Sequence, residues 1–184
     1  MLGISRLVRS ASLYGYPELA VSLGLNPEAM LRRVGLAPHA LDEADTPIPV
    51  DRVRQLLEVS AEASGTEDFG LRLSASRRLS NLGPISIVLR EEPTGLAALE
   101  TLGRYLRLIN ASLRTQIDYF PEVIVIREDI VVDGAAPMRQ SVELAVGVMH
   151  RILKEILGAS WTPRRVCFAH RPPRNTGTYT AALG

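Results

Sequence analysis

The chain has 184 residues, 46% of them apolar, with 21 basic residues against 20 acidic and a net charge of +1. Those totals suit one globular domain, with at most a small appendage, and give no strong electrostatic case for nucleic acid or an anionic membrane. A single cysteine (Cys167) and three histidines (His39, His150, His170) exclude a disulfide framework and a cysteine-cluster zinc site. They also supply a catalytic metal centre poorly, so no metal and no cofactor is expected.

The opening stretch MLGISRLVRSASLYGY lacks an apolar core of signal-peptide length, and no uninterrupted run is long enough to span a bilayer. The expectation is a soluble, cytoplasmic chain with no membrane partner. The first third reads as short helices joined by turns. YPELAVSLGL places Leu19, Val21 and Leu23 on one helix, stopped by Gly24 and the Asn26-Pro27 pair. Asn26 then caps a second helix with Pro27 in its first turn, carrying Met30, Leu31 and Val34. PIPVDRVRQLLEVSAEASG puts Val53, Leu56, Leu57, Ser60 and Ala61 at helical spacing before Gly65. TEDFGLRLS gives one compact helical turn with Phe69, Leu71 and Leu73 as core contacts.

LGPISIVLREE is apolar enough for a buried helix begun at Pro84, and Thr94 caps the next. In that next helix Leu96, Leu99, Leu102, Leu106 and Ile109 form one stripe, with Glu100 and Arg104 four apart. After Asn110 the period changes to two. SLRTQIDYF and EVIVIREDIVVDG alternate, and the short Phe120-Pro121-Glu122 link makes a hairpin of strands near 112–119 and 123–132 the economical reading. A long helix follows near 138–157, with Val142, Ala145, Met149, Ile152 and Ile156 as its main stripe. RRVCFAH predicts a further strand over 165–170, and the last stretch, Tyr179 to Leu183, is too short for a capping helix. The expected class is α+β: a helical N-terminal half followed by a small sheet (hairpin, long helix, further strand), incomplete at its C-terminal edge.

No phosphate loop, nucleophile elbow or zinc-ligand histidine pair is present. Cys167 and His170 lack partners close in sequence, so a small buried hydrophobe is the reading for Cys167. Glu143, Gly147, His150 and Lys154 recur at spacings of four, three and four on the long helix. They form either a polar stripe on a ligand cavity, with Gly147 leaving room, or a solvated face. Arg104, Tyr105, Arg107 and Asn110 invite the same comparison, and Arg107 could fork onto a ligand carboxylate or pair with Asp118. If there is an effector site, its expected residues are Arg104, Tyr105 and Arg107 on one helix and Glu143 and His150 on the other. ELAVSLGLNPEAMLRRVGL imitates a helix-turn-helix through Ala20, Gly24 and Leu25, its second helix presenting Glu28, Arg32 and Arg33. Pro27 and Glu28 occupy the end that would approach bases, which counts against DNA reading.

The succession LGLNPEAMLRRVGL, DFGLRL, LGPISIVLREEPTGLAALETLGRYLRLIN and RQSVELAVGVMHRILKEILGASWTPRRVCFAHRPP resembles the N-terminal sensor region of AraC-type transcription regulators, in the arabinose-binding-like subgroup. The resemblance runs from about Leu19 to His170, and its most specific parts are DFGLRL and TPRRVCFAHRPP. It implies a non-enzymatic cytoplasmic regulator whose residues 1–184 sense a small-molecule effector of unknown identity and form a homodimer. DNA would be bound by a helix-turn-helix domain expected beyond residue 184, the chain being cut inside the sensor region. It does not carry arabinose over as the ligand, and it aligns the helix-turn-helix-like segment with the sensor half. The competing readings are a direct DNA-binding module using residues 18–36, and a small-molecule enzyme, which would need a convergent acid/base set.

Overall fold

The computed structural model describes residues 6–110, 112–131 and 137–184 and, within them, every side chain except those of 107–109. The last residue of the expected 123–132 strand and the side chain of Arg107 therefore lie outside the described part.

Two strands of three residues, β1 (Leu7–Arg9) and β2 (Pro47–Pro49), pair antiparallel with Val8 opposite Ile48. They are too short to show an alternating pattern, and two prolines hide β2 further. Between them run α1 (Tyr16–Ser22) and α2 (Pro27–Arg33), and after them α3 (Val50–Ser64) and α4 (Phe69–Ser74). Asn26 caps α2 as expected, its side chain accepting the Ala29 N–H at 3.0 Å. The α3 stripe of Val53, Leu56, Leu57, Ser60 and Ala61 is buried throughout, and Phe69, Leu71 and Leu73 are core residues. In α1, however, the buried side chains are Tyr16 and Ala20, while Val21 is exposed. Tyr16 reaches across to α3, where its hydroxyl and Ser60 Oγ are 2.9 Å apart, and its ring tilts against Phe69 at 6.0 Å.

The second half comprises α5 (Ile85–Glu91), α6 (Gly95–Ile109), the hairpin β3 (Leu113–Tyr119) and β4 (Ile124–Ile130), α7 (Arg139–Leu157) and α8 (Gly177–Leu183). Thr94 Oγ1 accepts from the Ala97 N–H at 3.1 Å, the expected cap of α6. The hairpin register pairs Leu113 with Ile130, Thr115 with Glu128 and Tyr119 with Ile124. The apolar α5 run lies at the surface rather than inside, because only Ser86 and Leu89 of it are buried while Ile87 and Val88 are exposed.

The strand expected over 165–170 does not form. Val166, Phe168 and His170 are half-buried while Cys167 and Ala169 are exposed, so the alternation is real but serves side chains rather than a ladder. The neighbours of this segment are α7 and α8, whose main-chain groups are bonded within their own helices and offer nothing to pair with. Cys167 is accordingly at the surface, not a buried hydrophobe. Residues 177–183, too short to stand as an isolated helix, fold as α8 because Leu183 is buried and Tyr179 is anchored to α7. The architecture is α+β, with two separate two-stranded sheets.

One helix organises the whole. The core of α1 to α4 includes Leu144 of α7, the core of α5, α6 and the hairpin includes Met149, Ile152 and Leu153 of α7, and Val148 touches both. Contact between α4 and α7 is close enough to require glycine. A Cβ at Gly70 would overlap the main-chain carbonyl of Gln140, and one at Gly147 would meet Ser74 Oγ and Leu71 Cδ1. Gln140 completes the joint: its Oε1 accepts the Gly70 N–H at 2.8 Å, its Nε2 donates to Glu67 O at 2.9 Å, and its own N–H donates to Glu58 Oε1 at 2.9 Å. Gly147 thus makes room for Ser74, not for a ligand.

The two glycines differ in what they oppose, and that difference is measurable. Gly70→Ala must move a backbone and should cost roughly 3 kcal/mol or more in urea unfolding. Gly147→Ala meets the Ser74 side chain, whose Oγ can rotate but whose Cβ cannot, rather than a main-chain carbonyl, and the helix-propensity gain of about 1 kcal/mol offsets part of its cost, so its loss should be the smaller. Equal losses for the two variants would show that the joint is less tight than its geometry.

Candidate functional site

The face of α7 opposite Gly147 borders a cavity of about 170 Å³. Its floor is aliphatic: Leu144, Ala145, Val148, Met149 and Ile152 of α7, faced by Val53 and Leu57 of α3. Arg9, Arg78, Asn81, Asn110, Ser112 and Ser141 contribute to the polar part of the wall, as do four residues from separate places in the chain: Ser12 in the turn after β1, Arg54 of α3, Arg77 after α4, and Glu128 of β4. Each of these four side chains has a buried polar atom without a hydrogen-bond partner among the described residues: Ser12 Oγ, Arg54 Nε, Arg77 Nε and Glu128 Oε2. Unpartnered buried polar groups are rare, and these four share one cavity.

Arg77 is only 7% exposed. Its two terminal nitrogens donate to the main-chain carbonyls of Ala11 and Ser12, which pins the turn after β1. Burial pulls its pKa down to about 10, so it keeps its charge near neutrality. Arg54 donates from Nη1 to Pro137 O at 3.1 Å, and its Nε stands 3.6 Å from Asp51 Oδ1. Glu128 lies on the inward side of β4 with Ile126 and Ile130, and burial of its carboxyl raises the pKa to about 7. Although the residue as a whole is half-buried, its Oε2 atom is not accessible to solvent.

The residues expected to hold an effector sit elsewhere. Arg104 and Tyr105 are exposed on α6, with Arg104 Nη2 donating to Thr101 Oγ1 at 3.1 Å. The side chain of Arg107 is outside the described part; Asp118, its suggested partner, is held by Arg127 and by Gln116 Nε2 at 2.8 Å. Glu143 and His150 are neither solvated nor in the cavity wall. They are buried on the other side of α7. The His150 ring lies 5.7 Å from Trp161, neither of its nitrogens has a partner, and burial, with Lys154 and Arg151 nearby, lowers its pKa.

Glu143 has no exposed surface and ties the C-terminal segment to α7. Its Oε1 accepts from Arg139 Nε at 2.8 Å and from the Tyr179 hydroxyl, with His170 Nε2 at 3.3 Å. Burial and the bond to Glu143 push the Tyr179 pKa up to about 12. Burial works against the Arg139 charge, but the bonds to Tyr179 and Glu143 outweigh it and raise its pKa. Phe168 closes this cluster, stacked against His170 at 5.0 Å and edge-on to Tyr179 at 5.6 Å.

Sequence reasoning missed Ser12, Arg54, Arg77 and Glu128. A signal existed for Glu128, a carboxylate falling in step with Ile126 and Ile130 on the apolar face of its strand. A weaker one existed for Arg54, between Val53 and Leu57. Arg77 follows the end of α4, where no periodicity reaches. In the helix-turn-helix-like segment, Met30 and Leu31 are core residues and Arg32 is bound by Glu28 at 2.7 Å. No cluster of three metal-ligating side chains occurs, and no helix is long and apolar enough to cross a membrane, among the described residues.

Comparison with known proteins gives one consistent result. The family described as the arabinose-binding domain of AraC transcription regulators, N-terminal, matches residues 24–184. The HTH-type transcriptional regulator VirS of Mycobacterium tuberculosis, from strain CDC 1551 / Oshkosh and from strain H37Rv alike, is 28% identical over 183 residues. That similarity takes in 98% of this chain and 54% of the regulator. The chain therefore spans about half the length of the curated relatives it matches.

The Glu128 carboxyl predicts a pH effect with a definite sign. With its pKa raised in the folded state from an ordinary value near 4.5 to about 7, the native protein binds more protons in that interval, so stability falls as pH rises through it. Glu128→Gln should be matched to the wild type at the acid end and more stable above the interval, by on the order of 1–3 kcal/mol, one pKa unit being worth about 1.4 kcal/mol. Thermal melts across the range read this directly, and a pH-independent difference between the two proteins would contradict it.

Proposed function

The chain belongs to the arabinose-binding-domain family of AraC transcription regulators, and from that premise we propose that it is the effector-sensing part of a cytoplasmic DNA-binding transcription factor, with the α7 cavity as its effector site. The observation that carries this reading is the cavity itself, an aliphatic space bordered by four residues with unpartnered buried polar atoms. The role is regulatory rather than catalytic. Residues 1–184 form the sensing and self-association unit, and DNA is contacted by helix-turn-helix elements in the rest of the regulator.

Coupling runs through α7. One face of this helix lines the cavity, and another holds residues 166–183 through Glu143, Arg139 and Tyr179. An effector that prefers one placement of α7 over another biases that C-terminal segment by the difference in its affinity for the two placements, and by no more. The apolar tip of the hairpin, where Tyr119, Phe120, Val123 and Ile124 are exposed, is the face we assign to self-association.

Filling the cavity tests the reading. Ala145→Leu places a larger aliphatic side chain into the space an effector would use, and cavity filling should stabilise the protein by about 0.5–2 kcal/mol. In the complete regulator the same change should abolish the response of a reporter gene to its inducing condition while leaving DNA occupancy in place. A fully responsive Ala145→Leu regulator would refute the cavity as the effector site. The segment 18–36 makes the opposite forecast for DNA. With Arg32 paired to Glu28 and a net charge near zero, the 184-residue chain should show weak, sequence-indifferent duplex binding that Arg32→Ala and Arg33→Ala leave unchanged in gel shifts.

A further inference from the structure

We propose that the cavity takes a small monocarboxylate with an apolar body, the carboxylate set against Arg77 and Arg54 and the body against Leu144, Val148, Met149 and Ile152. This rests on the reading of the cavity as the effector site and adds the chemical class of the effector.

Size gives the first limit. A cavity of about 170 Å³ is close to the roughly 150 Å³ apolar hole that accepts benzene. The occupant is thus a molecule on the scale of a benzene ring with a polar group, not a disaccharide or a nucleotide. Wall chemistry gives the second. The α7 side of the cavity is aliphatic from Leu144 to Ile152, so an occupant lying along it needs an apolar body, while Ser141, Asn81, Asn110 and Ser112 also border the space and can bond only a polar end.

Charge gives the third. Arg77 is buried and bonded to two main-chain carbonyls, not to a carboxylate, and its Nε is left over. A buried guanidinium without a counter-charge is costly, and an arriving carboxylate relieves that cost with charge-assisted bonds. Arg54 Nε, also without a hydrogen bond, adds a second donor at the same cavity, and Ser12 Oγ a third. Glu128 would oppose an anion if ionised, but burial pushes its pKa up to about 7, and below that pH the protonated carboxyl donates a hydrogen bond to a ligand oxygen instead. An ammonium ligand would meet Arg77 and Arg54 and be repelled.

The test uses the 184-residue chain with six probes of two shapes: hexanoate, hexanamide and hexylamine, then benzoate, benzamide and benzylamine. Binding is followed by thermal unfolding and by the methyl resonances of Met149 and Val148. The carboxylates should bind at least ~10-fold tighter than their amides, the factor given by about 1.4 kcal/mol of charge-assisted bonding, and the amines should not bind. Arg77→Gln should erase the preference and Arg77→Lys should retain part of it. Because Arg77 also pins the turn after β1, Arg54→Gln supplies a second variant, expected to weaken the carboxylates several-fold and leave the amides unchanged. Amides that bind as tightly as carboxylates, or a carboxylate preference that survives in both Gln variants, would overturn the assigned class and leave the effector cavity standing. If no probe of any charge moves the Met149 and Val148 methyls, the cavity reading itself falls.

Discussion

Gly70 against the carbonyl of Gln140 is the contact on which the rest of the molecule depends. At that point two helices approach so closely that no side chain fits between them, and Gln140 uses its amide to bond the facing backbone at Gly70 itself and at Glu67. The joint fixes the distance and rotation of α7 relative to the first four helices. Once that rotation is set, the two remaining faces of α7 have no freedom of destination. Leu144, Val148 and Ile152 turn toward the cavity, and Glu143 and His150 turn toward the C-terminal segment.

Those two faces carry opposite chemistry. Around Glu143 a buried carboxylate gathers an arginine and a phenol on its Oε1, with the His170 ring at 3.3 Å, while its Oε2 and both ring nitrogens of His150 stay without partners among the described residues. Around the cavity the polar groups are only half matched, with guanidinium, carboxyl and hydroxyl atoms left open. One side of α7 is tied to a further segment of chain through Glu143, and the other faces an aliphatic space. In the sensing role we propose, an occupant of the cavity would bear on that attached segment through the single helix α7.

The helical half was legible because periodicity and punctuation agree there. Val53 to Ala61 repeat at helical spacing, Asn26 and Thr94 stand where caps are needed, and the switch to a period of two after Asn110 announces the hairpin. The expected effector residues do not meet at the α7 cavity, for a physical reason. Glu143, Gly147 and His150 do share a face, but a stripe of polar residues has the same spacing whether it meets water, a ligand or a neighbouring segment. Likewise Val166, Phe168 and His170 alternate as a strand would, yet alternation records only which side chains are covered and not whether a backbone partner exists.

The sequence by itself determined most of the helices, the hairpin, the α+β class and the family, since each depends on short-range preferences or on the order of motifs along the chain. The tertiary structure alone decided which polar residues meet. Ser12, Arg54, Arg77 and Glu128 are far apart in the chain and belong to four different elements. They border one cavity only because the Gly70 joint holds α7 in place beneath them. No periodicity encodes that meeting, because it is a property of the packing between elements and not of any element taken singly.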